Sequence, residues 1–337
     1  MKAGTQRVLA AAAILCACGR PGGPEGAGIW PREFGRGTRR AQAALSVGRR
    51  DEAAAVVAAL TVPEDAPPAA RAGMLLARAR LKDDLRDFAG EEADARAALA
   101  LRPGGFDELA CLTQFLRDRG RLDESLALAG RLAATTEPVA PFNRAERWLQ
   151  RAETLNRMGR TAEAEADVRR ALEAKPDDVP SLWLGAQILL RAGRAAEALP
   201  YAERMLAAAR GAGERARAYS QRAQVRGALG DKAGAAADAE AAVRADPRDL
   251  AALESAMEAA QAAGRPGEAL AFADRAVAAA APAPQKAVAL QQRARLKRAR
   301  GDRAGAEADL RAALAAQPDA EPVRRELEEL RRGGGGR

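Results

Sequence analysis

The chain has 337 residues and a formal net charge of +8, and 48% of its residues are hydrophobic although only 3% are aromatic. Most of the apolar residues are alanines, which favour helix, while the residue types typical of strands are scarce. The chain has no histidine, which removes the commonest metal ligand and every Ser-His or Cys-His nucleophile pair. Composition therefore predicts an all-α protein. No carboxylate pair, Gly-rich phosphate loop or metal-ligand spacing stands out in the sequence, so we expect no enzyme activity, metal site, cofactor or small-molecule substrate.

The N-terminal segment predicts export. Two cations precede the apolar run Val8–Leu15, which is the order of a secretory signal, and this run is too short to span a membrane. The sequence LCAC at residues 15–18 resembles the bacterial lipobox. That resemblance implies cleavage after Ala17, a signal peptide over residues 1–17 and a lipid on Cys18. The alternative is an ordinary cleaved signal in which Cys16 and Cys18 have no role.

The residues after Cys18 predict a tether. Residues 18–33 are rich in Gly and Pro and have no apolar periodicity, which is typical of a linker. Bacterial lipoproteins commonly carry such a tether between lipid and folded domain. Gly19 at the second mature position is not the aspartate associated with retention in the inner membrane. The lipoprotein resemblance thus implies the periplasmic face of the outer membrane.

The remainder of the chain is repetitive. Copies of an octapeptide, EADVRRAL in one instance, start at positions 92, 165, 236 and 307, which is a wide and nearly constant spacing. A Gly-Arg or Gly-Asp dipeptide recurs about twice as often, and its later copies start at positions 159, 193, 230, 264 and 301. Each shorter unit has two helix-favouring runs separated by this glycine, and alternate units end in proline. The octapeptide therefore marks every second unit.

These units resemble the tetratricopeptide repeat, a 34-residue helix–turn–helix. The best unit covers residues 145–178 and carries the family's signature residues at their expected positions: Trp148, Ala152, Leu155, Gly159, Ala164, Ala171 and Pro176. The resemblance implies a right-handed superhelical solenoid over residues 34–320, with repeats that start at 34, 72, 106, 145, 179, 216, 250 and 287. Residues 321–332 are predicted to form a capping helix, and residues 333–337 a disordered tail.

The even-numbered repeats share an arginine at repeat position 7 and an aspartate at repeat position 23. In a tetratricopeptide repeat these two positions face one another between the two helices. The resemblance therefore implies that the guanidinium can satisfy a partly buried carboxylate. We expect structural ion pairs here rather than a repeated anion site. The pairs are Arg78–Asp94, Arg151–Asp167, Arg222–Asp238 and Arg293–Asp309.

The family binds its partners in a concave groove lined by the first helix of each repeat. At the groove positions of this chain seven cations, among them Arg117, stand against eight anions, among them Glu146. The groove is also rich in amides, with Gln150, Gln221 and Gln292 close by, and amides both donate to and accept from a peptide backbone. The candidate partner-binding residues are Arg80, Gln114, Glu153, Trp183, Gln187, Arg191, Gln224, Glu258, Gln291 and Arg295.

The favoured function is an exported, lipid-anchored scaffold that binds extended peptides or helices of protein partners. The alternative is a soluble or peripheral protein that binds nucleic acid or lipid headgroups through the basic last repeat, where RARLKRAR occupies residues 293–300. Nucleic acid is the weaker of these partners, because base stacking needs aromatic residues among the cations and Trp183 is nearly alone. Coding bias towards arginine and alanine explains the net charge without any anionic partner.

Overall fold

The computed structural model describes residues 30–135, 141–280 and 283–332, and these residues form seventeen helices and no strand. The prediction of an all-α fold is therefore confirmed. Residues 1–29, with Cys18 and the predicted signal peptide, and residues 333–337 lie outside the described ranges. None of the helices within these ranges is long and apolar enough to cross a membrane.

Residues up to Ser181 form one compact unit and residues from Leu182 form another. The helices of the first unit are α1 (Arg32–Ser46), α2 (Arg50–Ala58), α3 (Pro68–Leu85), α4 (Phe88–Leu101), α5 (Phe106–Asp118), α6 (Leu122–Ala134), α7 (Pro141–Arg157) and α8 (Thr161–Ala174). The boundary between the two units, after Ser181, lies within helix α9 (Val179–Arg191).

The second unit continues the series of paired helices. Its helices after α9 are α10 (Ala195–Ala208), α11 (Ala212–Ala228), α12 (Lys232–Ala245), α13 (Leu250–Ala262), α14 (Pro266–Ala279), α15 (Ala283–Ala299), α16 (Arg303–Ala316) and α17 (Glu321–Arg332).

Helix length explains why the sequence period is doubled. The first helices of the even-numbered predicted repeats, α3, α7, α11 and α15, have 17 or 18 residues, whereas α5, α9 and α13 have 13. Four residues are about one helical turn. The residues inserted before every second predicted repeat therefore extend a helix at its N-terminus, and each of these four helices begins about one turn before the predicted repeat start.

Small residues let the paired helices approach closely. Ala152, Ala164 and Ala171 are each fully buried between α7 and α8, because an alanine adds no side chain beyond Cβ to hold two helix backbones apart. Most other predicted repeats also have a buried alanine at the position of Ala152. These alanines are Ala41, Ala79, Ala186, Ala223 and Ala294. Buried alanines at these positions therefore allow the close helix contacts of the core.

The turns inside the helix pairs use the left-handed backbone conformation. Seven glycines of the Gly-Arg and Gly-Asp dipeptides have φ between 70° and 83°, a region that other residues enter only with strain. In the predicted repeat 72–105 the equivalent residue is Arg86, and it adopts φ 64°. The turn geometry is therefore kept where its glycine is missing.

Helix α17 covers the apolar end of the last pair. Val323, Leu327 and Leu330 are at most 7% exposed and belong to one cluster with Leu290 and Leu310 of α15 and α16. The opposite face of α17 is charged and exposed. This is the arrangement expected of a helix that closes the end of a repeat array.

Candidate partner-binding face

The repeated Arg–Asp pairs form within helix pairs of both units. In each pair the guanidinium donates two hydrogen bonds of 2.6–2.8 Å to the two carboxylate oxygens. The aspartates are at most 5% exposed, so the contacts satisfy buried carboxylates with charge-assisted hydrogen bonds. The pairs are Arg78–Asp94, Arg151–Asp167, Arg222–Asp238 and Arg293–Asp309.

Each buried aspartate also contacts a second cation, which was not predicted from the sequence. Burial alone would raise the pKa of Asp94, but hydrogen bonds from Arg78 and Lys82 hold it below its ordinary value, and the same holds for Asp309. In three pairs the second cation stands one helical turn after the arginine, a spacing visible in the sequence. The contacts are Lys82–Asp94 at 2.8 Å, Arg170–Asp167 at 3.3 Å, Arg226–Asp238 at 2.9 Å and Lys297–Asp309 at 2.9 Å.

In three of the repeated Arg–Asp pairs, a glutamine directly precedes the arginine and links neighbouring helix pairs. Gln150, Gln221 and Gln292 recur at one constant spacing, and each begins a Gln-Arg-Ala tripeptide. Each reaches the first helix of the preceding pair: Gln150 Oε1 accepts from Arg117 at 2.8 Å, Gln221 Oε1 accepts from Gln187 at 2.7 Å, and Gln292 donates to Glu254. Gln150 and Gln221 are 1% and 2% exposed. The expectation that they are available to a partner is therefore corrected for these two buried residues.

In the first unit, predicted groove residues join a buried polar cluster. Arg117 of α5 is 1% exposed, and its guanidinium lies 2.7 Å from a Glu153 carboxylate oxygen of α7. Gln150 bridges the cluster by donating to Glu146 at 2.6 Å. Arg117 and Glu146 are therefore not open groove charges, and Glu153, named as a partner-binding residue, is held by Arg117. A buried charge needs such a partner.

Burial changes the protonation of two carboxyl groups in the first unit. Burial raises the pKa of Glu146 to about 7, helped by the nearby Glu153 and Asp178 carboxylates and opposed by Gln150 and Arg117. Burial likewise raises the pKa of Glu91 to about 8, although Arg119 donates to it at 3.1 Å. In each case the neutral acid is favoured because the low-dielectric surroundings penalise the charged form.

In the second unit, three successive first helices each present two side chains one turn apart. We call this set the amide–acid face: Trp183 and Gln187 of α9, Ser220 and Gln224 of α11, and Glu254 and Glu258 of α13. Residues four apart share a face of a helix. Gln187 donates to Gln224 Oε1 at 3.2 Å, which joins α9 to α11 on this face. Gln224 and Glu258 are exposed, and Trp183, Gln187 and Glu254 are half-buried.

We predicted that Gln291 and Arg295 of the last helix pair, α15 and α16, would be open to a partner, but contacts within the chain occupy them. Gln291 donates to Glu326 of α17 at 2.8 Å, and Arg295 lies 3.0 Å from the same carboxylate. Glu326 therefore occupies the position that we expected a partner to take at Gln291 and Arg295. The terminal helix competes for these groups because its apolar face is anchored in the core directly beside them.

The basic run of the last pair is also largely engaged. Arg293 and Lys297 are bonded to Asp309, Arg295 to Glu326, and Arg303 to the carbonyl oxygens of residues 330 and 331. Arg298 and Arg300 are exposed. Most of the cations that suggested an anionic partner are thus bound to groups of the chain itself.

Three other predicted residues lie on separate first helices. Arg80 of α3 is half-buried and its Nε has no hydrogen-bond partner among the described residues. Gln114 of α5 is half-buried, and Arg191 at the end of α9 is exposed. A role for these three residues in partner binding stays a prediction.

Sequence and structure comparisons agree on the fold. A family model described as tetratricopeptide repeat matches residues 145–178. No curated protein is significantly similar to the chain.

Solved structures are similar in fold at low identity. One is the crystal structure of a tetratricopeptide repeat protein from Parabacteroides merdae ATCC 43184, with a TM-score of 0.54, 18% identity, and coverage of 77% of this chain and 98% of that chain. Another is the crystal structure of PilW, described as a widely conserved type IV pilus biogenesis factor, with a TM-score of 0.50, 20% identity, and coverage of 64% of this chain and 94% of that chain. At such identity the likeness establishes the fold and nothing further.

Proposed function

We propose that this chain, which has the tetratricopeptide repeat fold and a tetratricopeptide repeat at residues 145–178, is an exported, lipid-anchored scaffold that binds protein partners. The fold suggests protein–protein interaction, since each repeat adds a first helix to an extended surface. No catalytic role is proposed for any residue.

The observation that carries the proposal is the amide pair of the amide–acid face. Gln187 and Gln224 lie on neighbouring first helices and are joined by one hydrogen bond of 3.2 Å, and Gln224 is exposed. A glutamine amide donates and accepts at the same time, so this pair can bind both the N–H and the C=O of an extended polypeptide backbone. Such contacts are independent of the partner's side chains.

The N-terminal sequence supports export and anchoring. The run of cations, apolar residues and LCAC is followed by a Gly/Pro-rich stretch, and the first described helix begins at Arg32. If the residues from Cys18 to that helix form a random coil, they would span about 20 Å, which is enough to hold the repeats clear of a bilayer surface. We propose that Cys18 carries the lipid and that the repeats face the periplasm from the outer membrane.

A substitution at Gln224 tests the binding face. We expect Gln224→Ala to lower capture of partner proteins by detergent-solubilised full-length protein about fivefold, because one or two hydrogen bonds are each worth about 1 kcal/mol. Quantitative mass spectrometry of captured proteins measures this loss. The melting temperature should change little, since Gln224 is exposed.

Two matched variants control this experiment. Gln317→Ala removes an amide at the end of α16, outside the amide–acid face, and should leave capture unchanged. Gln187→Ala should weaken capture and also lower the melting temperature, because it removes the donor bonded to the buried Gln221. Unchanged capture by Gln224→Ala, together with loss on substitution of Arg298 and Arg300, would contradict the proposal and favour the basic last repeat.

A further inference from the structure

We propose that the partner segment bound by the amide–acid face carries a lysine or arginine, and that this cation sits beside Glu254. The inference rests on the proposed function and adds to it the charge of the partner. The occupant is thus an extended, basic segment of a protein.

The first observation is the environment of Glu254. Its carboxylate is half-buried and accepts a hydrogen bond from Gln292, yet no Lys or Arg nitrogen of the described residues lies within 4.0 Å of it. By contrast Asp238, Asp309 and Glu326 of the same unit are each bonded by an arginine. Burial raises the pKa of Glu254, and the charge of Glu258 one turn later acts in the same direction. A partner's cation would supply the charge compensation that the fold gives to those other carboxylates.

The second observation is independent of charge and lies on the neighbouring helix. Ser220 of α11 is 6% exposed, and its Oγ is buried with no hydrogen-bond partner among the described residues. It stands one turn before the exposed Gln224, so both residues lie on the same side of α11. Buried polar groups are normally satisfied. A peptide N–H or an ammonium group of a bound segment is a donor that Ser220 can accept from.

The chain's own cations do not take the place beside Glu254. Arg295 of the adjacent α15 is directed to Glu326 of α17, with N–O distances of 3.0–3.1 Å. None of the six residues of the amide–acid face is a cation. The face therefore combines amides, a hydroxyl and the Glu254 carboxylate, which complement a basic peptide and disfavour an acidic one.

Three fluorescein-labelled peptides test the inference by fluorescence anisotropy with the detergent-solubilised full-length protein at low salt. Their sequences are short alternations of Ser with Lys, Gln or Glu, all of one length. The net charge of +8 favours the Glu peptide on non-specific grounds. We nevertheless expect the Lys peptide to bind about tenfold more tightly than the Glu peptide.

Variants assign the preference to Glu254. Glu254→Gln keeps the acceptor for Gln292 and should weaken binding of the Lys peptide about fivefold, while Glu254→Lys should reverse the order of the Lys and Glu peptides. The matched control is Glu268→Gln, which removes a carboxylate of α14 that pairs with Arg265 outside the face, and should change nothing. An unchanged melting temperature shows that each variant is folded.

The outcomes separate this inference from the proposed function. Equal affinity for the Lys and Gln peptides, with binding still weakened by Gln224→Ala, would overturn the inference and leave the proposed function standing. A lysine preference that survives Glu254→Gln would also overturn it. Absence of binding by all three peptides at millimolar concentration would overturn both.

Discussion

Arg86 occupies a turn where seven equivalent residues are glycine, and it shares their left-handed backbone with φ 64°. A residue with a Cβ enters this region at a cost of about 1 kcal/mol or more. The side chain of Arg86 is exposed and makes no described contact, so nothing local offsets the strain. The packing of α3 on α4 therefore holds the turn in place.

Replacing Arg86 with glycine should stabilise the protein. We expect Arg86→Gly to raise the free energy of unfolding by up to about 1 kcal/mol, because the strain is relieved and no contact is lost. Thermal melting of the two proteins measures the change. The control is Gly159→Ala, which should be destabilising although an added Cβ meets no atom within 4 Å, since its φ is 76°. A lower melting temperature for Arg86→Gly would show that Arg86 has an interaction of its own.

The buried carboxyl of Glu146 should make stability depend on pH. Its pKa is raised to about 7 in the fold, so the folded state binds more protons than the unfolded state between about pH 4.5 and 7. Stability is therefore largest below this window and falls as the pH rises through it. We expect the melting temperature to fall between pH 5 and pH 8, by an amount equivalent to about 2 kcal/mol.

Glu146→Gln should remove the part of this slope that comes from Glu146, because the amide keeps the contact with Gln150 without titrating. A residual slope of the same sign is expected from Glu91, whose pKa is raised to about 8. The aspartates whose pKa values are lowered lose their contribution only under more acidic conditions. An identical pH dependence in Glu146→Gln and the unsubstituted protein would contradict this assignment.

At the scale of helices, the sequence was sufficient to predict the helix pairs, the glycine turns and the Arg–Asp pairs, because each depends on residues within one repeat. It did not predict how Gln150, Gln221 and Gln292 are used. Their constant spacing was visible in the sequence, but their hydrogen-bond partners lie on the preceding helix pair. A repeat pattern does not predict which side chains of neighbouring repeats contact one another. The burial of Arg117 and the capture of Arg295 by Glu326 were missed for the same reason.

The Arg222–Asp238 pair should stabilise α11 against α12. Asp238 is 3% exposed and is bonded by both Arg222 and Arg226, so Asp238→Ala leaves two partly buried cations without their carboxylate. We expect a loss of about 2–3 kcal/mol in this helix pair. Hydrogen exchange should show faster exchange of amides in α11 and α12, since repeat proteins open locally. Glu240→Ala on α12, where the side chain is 44% exposed, should have little effect.

At the scale of the whole molecule, the net charge of +8 does not define a binding surface. In the described residues many arginines pair with carboxylates of the same or the next helix, and the amide–acid face contains no cation. Within the described residues, carboxylates of the chain itself therefore compensate much of the positive charge. We propose that the amide–acid face relates the chain to a partner and that the N-terminal sequence relates it to a location.

The anchor can be tested on the full-length protein in bacterial cells. A single acyl chain holds a protein to a membrane only marginally, whereas several chains on one cysteine hold it firmly. We expect the protein to sediment with outer membranes at high salt and its mature chain to begin at acylated Cys18. Cys18→Ser should abolish labelling by a fatty-acid analogue and release the protein from the membrane, while Cys16→Ser should leave both unchanged. A soluble mature protein with an unmodified N-terminus at another residue would contradict the proposed anchor, and loss of labelling in Cys16→Ser alone would place the lipid on Cys16.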